Sequence, residues 1–285
     1  MSWNQAHQLC PSYPKENPLP TPLWTITPKE PPLHKTPGES HYAIQSPQPW
    51  NGKDRTKPVF GLVVHTTGAG LPARARRNGV AVTTQAVRWY QKSHGTHYVI
   101  GYRGIDGDLI QVANERERAG GVGTKKTRDA LKAGDWTAGL PKAFVKHWHG
   151  RWNGVADNPT DLFPGTNANN VYVHCEMPPC VFYDGSRKVT AAVPMDRGFC
   201  GHNGRDLTKL RFTAAQHDAI VYLACDLARR YEWPDRWWQS GRLVGHEDLA
   251  PHDRTHKFGG WDPGWLRNSP YFDFDYVLSE IGAMY

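Results

Sequence analysis

The sequence predicts an α/β protein, and three observations carry the prediction. Short apolar runs rich in β-branched residues, at 58–64 and 171–177, are separated by stretches with helical spacing. An Asp106-Gly107 pair lies between two β-prone runs, a strong hairpin signal. A capped stretch after Thr213 repeats apolar residues at helical intervals until Pro234. At 285 residues the chain can bury a substantial core.

Residues 1–56 are dense in Pro, Ser, Thr and His and lack strand or helix periodicity. Proline at that density removes backbone donors and favours extended chain, so this segment reads as an arm that wraps the domain or links it to something else. Trp3, Trp24 and Trp50 favour wrapping. The remaining residues, 57–285, form the domain. Its first strand, Pro58–Val64, is apolar throughout and delivers His65-Thr66-Thr67 at its end. Thr83–Ser93 reads as a short helix capped by Thr83 or Thr84. His97–Tyr102 and Leu109–Val112 form the hairpin. From 119 to 170 the pattern dissolves, with helical fragments only at Asp129–Ala133 and Ala143–His147, and reads as an insertion. Its Trp136, Trp148 and Trp152 suit either a carbohydrate-stacking wall or packing under a loop. Val171–Met177 alternates, with Tyr172, His174 and Glu176 on a polar face and Val171, Val173 and Cys175 on the other. A second irregular insertion spans 178–209. The helix after Thr213 leads to a short strand at Leu243-Val244, and Phe272–Ile281 closes the chain as a helix.

Composition narrows the partners. The formal charge of +7 suits an anionic partner, either nucleic acid or an envelope polymer. Basic residues cluster only at Arg74, Arg76 and Arg77 and at Lys125, Lys126 and Arg128, and no nucleic-acid module is recognisable, so the charge reads as solvation and general steering. No run reaches the length of a membrane span, and Met1–His7 lacks the features of a Sec signal peptide. Five cysteines with no CxxC pair argue against a four-thiolate zinc site. Cys180 and Cys200 bracket an excursion and could pair in an oxidising compartment, whereas Cys225 reads as a buried helix residue.

The chemistry concentrates at 244–264, which holds three His, three Asp, one Glu and two cations between Pro and Gly punctuation. That composition suits a metal-bearing loop better than a packed helix or strand. A catalytic zinc takes three protein ligands and keeps one position open. His65 at a strand end, His246 just past another and Asp262 beyond a loop meet this requirement, with His252 and His256 as rivals by spacing alone. Glu176 is the candidate general base. Lys257, Arg254, His252 and His256 compete to stabilise an oxyanion.

These residues make the chain resemble the zinc-dependent N-acetylmuramoyl-L-alanine amidases, the type that includes phage lysozyme-like amidases and peptidoglycan recognition proteins. The resemblance is carried by the strand ending in His65-Thr66-Thr67, the His97-Tyr98-Val99-Ile100 hairpin, Glu176 at a strand end, Gly245-His246-Glu247-Asp248 followed by Ala250-Pro251, and Asp262-Pro263-Gly264. It covers about residues 58–268. It implies a mixed central β-sheet flanked by helices, with Zn²⁺ at one edge of the sheet in a groove. It further implies His65, His246 and Asp262 as ligands, Glu176 as the catalytic carboxylate, and hydrolysis of the bond between N-acetylmuramic acid and L-alanine. Two departures stand out. Thr96 occupies the place where relatives carry a Tyr, and becomes a candidate substrate contact. Gly260 occupies the place of a Lys, so Lys257 becomes the leading candidate cation, ahead of Arg254 and His256.

The resemblance implies peptidoglycan, or its muropeptides, as substrate. The alternatives are a peptidoglycan-binding module without catalysis and a zinc peptidase cutting another bond of the stem peptide. Synthesis in the cytoplasm followed by phage-lysis or injection-type delivery to the wall is the expected setting, with a delivery apparatus or immunity protein as further partner.

Overall fold

In the computed structural model the described residues are 43–45, 54–66, 79–93, 95–101, 107–165, 167–178, 181–183, 189–192, 212–254, 262–264 and 272–285. Among them, β1 (Ala43–Gln45), β2 (Gly61–Thr66), β3 (Tyr98–Ile100), β4 (Leu109–Gln111), β5 (Tyr172–Met177) and β8 (Leu243–Gly245) build one six-stranded sheet in the order β1-β4-β3-β5-β2-β8. Pairing is mixed: β3 and β4 form the expected antiparallel hairpin, and every other neighbouring pair is parallel. β6 (Val181–Tyr183) and β7 (Val189–Ala192) form a separate two-stranded sheet. The helices are α1 (Gly79–Ser93), α2 (Lys125–Lys132), α3 (Lys142–Trp152), α4 (Ala214–Arg230), α5 (His246–Leu249), α6 (Pro251–Arg254) and α7 (Phe274–Met284). The α/β class with a mixed, helix-flanked sheet is as expected, and no described helix is long and apolar enough to cross a membrane.

Both faces of the sheet are covered. Leu62 and Val64 of β2 and Val173 and Cys175 of β5 pack against α4 and α7, including Ile220, Leu223, Ala224, Leu227, Val277 and Ile281. α4 begins as its sequence predicts, because the Thr213 side chain accepts the Gln216 N–H and Gln216 returns the bond in a capping box. The opposite face carries Val63, Tyr172 and Val244, which contact Phe144, Trp148 and Trp152 of α3. α1 covers the hairpin end of the sheet through Ala86, Val87 and Tyr90 against Val99, Ile110 and Val112.

Several expectations are corrected. β2 starts later than Pro58 and runs through His65, so this histidine belongs to the strand. α1 starts at Gly79, which places Thr83 inside the helix, buried. The insertion at 119–170 holds two full helices, α2 and α3. Trp136, Trp148 and Trp152 are buried in its core, which rules out a stacking wall made by these three rings. Packing overrides the weak periodicity here, because three large aromatic rings supply the apolar area that the polar helix faces do not. The face of β5 expected to be polar is buried too, with His174 and Glu176 beneath the flanking layers. Cys175 and Cys225 are buried cysteines. Cys10, Cys180 and Cys200, the cluster Arg74–Arg77, and Trp3, Trp24 and Trp50 lie outside the described residues.

His97 ties the hairpin to β5. Its ring Nδ1 accepts the His174 N–H at 2.9 Å, so its proton sits on Nε2 and faces the Glu117 carbonyl at 3.0 Å. Burial first, and then the Arg55 charge, lower its pKa from 6.5 to about 3. The unfolded chain therefore binds this proton at a higher pH than the native state does. The stability contributed by neutral His97 is present above pH 6.5 and is lost as pH falls towards 3. Urea unfolding should show a free energy that declines across this window, with His97 contributing up to ~1.4 kcal/mol per pH unit. The His97→Asn variant should lose that portion of the slope, and an unchanged slope would assign the acid sensitivity to other groups.

Candidate metal centre

The geometry begins with strand register. β2 pairs in parallel with β5 and places His65 opposite Glu176. On its other side β2 pairs with edge strand β8, placing Val64 opposite Gly245, so His246 follows at the level of His65. Alternation puts His65 on the same face as Val63, and His174 and Glu176 on the same face as Tyr172. These side chains thus share the face that α1 and α3 cover at its two ends.

Asp262 completes the group. His246 Nδ1 lies 3.1 Å from His65 Nδ1 and 3.0 Å from Asp262 Oδ2, and His65 Nδ1 lies 3.4 Å from Asp262 Oδ2. All three residues are buried, and among the described residues they form the cluster able to hold a metal ion. Ligand atoms on a tetrahedron with zinc–nitrogen bonds of about 2.0–2.1 Å stand about 3.3 Å apart. The observed separations match that edge length. Two ring nitrogens and a carboxylate oxygen therefore converge with the spacing and donor types of a zinc site.

The supports of this cluster lie within the same short sequence. The first part of the stretch expected to be a metal-bearing loop, 246–254, folds instead as two helical turns, α5 and α6, with His246, Glu247 and Asp248 all buried. Glu247 accepts the Asp262 N–H at 2.5 Å and the Gly264 N–H at 3.2 Å, while its own N–H donates to the Asp262 carbonyl. Burial, with the Asp248 and Asp262 charges adding to it, pushes the Glu247 carboxyl well above the usual carboxylate range. Asp262 is itself oriented by the Thr66 N–H, which donates to Oδ1 at 2.5 Å and leaves Oδ2 facing the histidines.

Asp248 joins the cluster to the insertion. Its carboxylate accepts the Gly245 N–H at 2.7 Å and the Trp152 indole N–H at 3.1 Å, and pairs with Arg151 at 3.1 Å. Its backbone carbonyl accepts the Trp148 indole N–H. The insertion thus braces the turn that carries His246.

The other candidates fall elsewhere. His252 Nδ1 faces Thr127 Oγ1 at 3.2 Å and its Nε2 faces the Ala138 carbonyl at 3.3 Å, so it is held against the insertion and outside the cluster. Thr96 is buried, and its hydroxyl hydrogen-bonds to the backbone carbonyls of His174 and Tyr98. Arg254 ends α6. His256 and Lys257 lie outside the described residues. Sequence reading placed His174 beside Glu176 without giving it a role, yet its Nδ1 lies 3.1 Å from His65 Nε2 with the two rings stacked. Period-two alternation was the available signal. Nothing in the spacing announced the bracing by Glu247 and Asp248.

A helix-flanked mixed sheet carrying a buried His-His-Asp cluster at its strand ends defines an α/β protein with a cluster able to hold a metal ion. The sequence model of the N-acetylmuramoyl-L-alanine amidases matches residues 55–265, and the chain belongs to that family. No curated protein matches significantly. Among solved structures the chain is similar to the peptidoglycan recognition protein SD of Drosophila, at 12% identity and TM-score 0.35, over 79% of this chain and 90% of that one. It is likewise similar to the N-acetylmuramoyl-L-alanine amidase LysC of Clostridium intestinale, at 11% and 0.36, over 85% and 97%. A third is the Ph2119 endolysin of a Thermus scotoductus bacteriophage, at 13% and 0.34, over 82% and 92%. Membership rests on the family match, not on these slight structural likenesses.

Removing the Asp248 carboxylate leaves the largely covered Arg151 guanidinium without its ion-pair partner, and the Asp248→Ala protein should be less stable by about 3–5 kcal/mol. Asp253→Ala breaks a far more exposed pair with Lys126 and should cost less than about 1 kcal/mol. Denaturant titration of the two variants checks the contrast.

Proposed function

We propose that the protein is a zinc-dependent N-acetylmuramoyl-L-alanine amidase, which hydrolyses the amide joining the lactyl group of N-acetylmuramic acid to L-alanine in peptidoglycan. The observation that carries this reading is the convergence of His65 Nδ1, His246 Nδ1 and Asp262 Oδ2 at tetrahedral spacing, in a chain of the amidase family. These three residues would hold the ion. Zinc bound there supplies Lewis acidity and an acidified water at neutral pH.

Glu176, next to His65 across the ladder and buried, takes the proton from the attacking water. It then returns that proton to the leaving amine of L-alanine as the carbon–nitrogen bond breaks. A cation stabilises the oxyanion formed at the substrate carbonyl. Lys257 is the leading choice, with Arg254 and His256 as alternatives. His252 is already engaged by Thr127 and Ala138, and Thr96 by backbone carbonyls, so both serve the scaffold in this proposal. Residues 1–56 are proposed as an arm joined to the catalytic domain through β1 and through Arg55, whose guanidinium donates to the Tyr172 and Glu115 carbonyls.

His246→Ala should lose both metal binding and hydrolysis. Glu176→Gln should keep the metal and lose at least about 100-fold in turnover. Metal content and release of stem peptides with free L-alanine amino termini, read by mass spectrometry, check both. Fragments with another new terminus would indicate a peptidase. Unchanged peptidoglycan that co-sediments with the zinc-loaded protein would make it a binding module.

A further inference from the structure

The chain buries a further histidine behind the His-His-Asp cluster. His174 is fully buried, its ring stacks on that of His65 with centroids 5.2 Å apart, and its Nδ1 lies 3.1 Å from His65 Nε2. Its backbone is fixed on both sides. The His174 N–H donates to His97 Nδ1, and the His174 carbonyl accepts from the His97 N–H and the Thr96 hydroxyl. Behind it, a Cβ built on Gly121 would come within 2.7 Å of His174 Nδ1, so bare glycine backbone closes against the ring. Its place is therefore set by the fold and not by the metal.

Such a placement constrains the protons. His65 can ligate through Nδ1 only as the tautomer with its proton on Nε2. That proton faces His174 Nδ1, which must then be the acceptor, so the His174 proton sits on Nε2. His174 Nε2 is buried with no hydrogen-bond partner among the described residues. If His174 instead donates from Nδ1, His65 carries its proton on Nδ1, facing Asp262, and cannot ligate. The two rings thus change tautomer together.

We propose that His174 is a positioning residue for the metal centre: its Nδ1 accepts the His65 Nε2–H and so holds His65 in the one tautomer able to bind zinc. An orienting partner of this kind is worth about 10- to 100-fold in metal affinity. The inference rests on the metal-site reading above, and not on which bond the enzyme cuts.

The test is zinc affinity by chelator competition on the full chain, wild type against His174→Leu and His174→Asn. Leucine fills much of the ring's space without an acceptor, whereas the asparagine side chain offers a carbonyl oxygen bonded to Cγ, as Nδ1 is in His174. His174→Leu should bind zinc about 10- to 100-fold more weakly, and His174→Asn should recover most of that loss. A purely structural role would leave the two variants equally affected, and equal affinity in His174→Leu and wild type would overturn the proposal. Long-range ¹⁵N–¹H spectra of the zinc-loaded wild type decide the matter should His174→Leu fail to fold. The expected pattern is a proton on Nε2 of both His65 and His174, and a proton on His174 Nδ1 would refute it. Wild-type protein that binds no zinc would bring down the metal site and this proposal together. Wild-type protein that binds zinc without cleaving peptidoglycan would remove only the amidase reading.

Discussion

The parallel pairing of β2 with β5 on one side and with β8 on the other is the constraint on which the rest of the site depends. It sets His65 opposite Glu176 and brings the start of α5, with His246, to the same level. In a sheet with a side-chain period of two, a slip of one residue on either side would carry a histidine or the Glu176 carboxylate to the opposite face. The apolar residues of these strands protect the register from both sides. Leu62, Val64, Val173 and Cys175 are buried against α4 and α7, and Val63, Tyr172 and Val244 against α3. The core of this domain therefore also serves as the alignment device of its His-His-Asp cluster.

Around that frame the supporting groups are backbone amides and buried carboxylates more than long side chains. Thr66 N–H orients Asp262, Glu247 receives the amides of Asp262 and Gly264, and Asp248 receives that of Gly245. Carboxylates in such numbers would repel one another without donors. Each has hydrogen bonds that fix it, and the Arg151 guanidinium adds a positive charge at Asp248. The insertion at 119–170 supplies Arg151 and both indole donors. It thereby turns from an interruption of the fold into the layer that covers one sheet face and steadies the turn that carries His246.

Much of this was legible from the residues. The hairpin around Asp106-Gly107, the helix capped by Thr213 and the strands ending near His65 and Glu176 follow from turn chemistry, capping and alternation, all of which act over a few residues. By spacing alone His65, His246 and Asp262 were legible only as members of a larger pool of donors, and the family resemblance singled them out. His252 has the same spacing credentials, and the tertiary contacts with Thr127 and Ala138 draw it away. In the insertion only fragments of the two helices were legible, because those helices are polar over most of their surface. Their burial comes from three indole rings whose partners are distant in sequence.

By itself the sequence determined the α/β class, the order of the main elements and the donor types available for a metal, because these depend on local propensity and composition. Tertiary structure alone decided which histidines converge, that the polar stretch after β8 is buried as helical turns, and that His174 stands behind His65. The physical reason is common to all three. Convergence depends on strand register and on contacts across more than a hundred residues, such as His65 with His174, and no local pattern encodes which of several equivalent side chains those contacts will select.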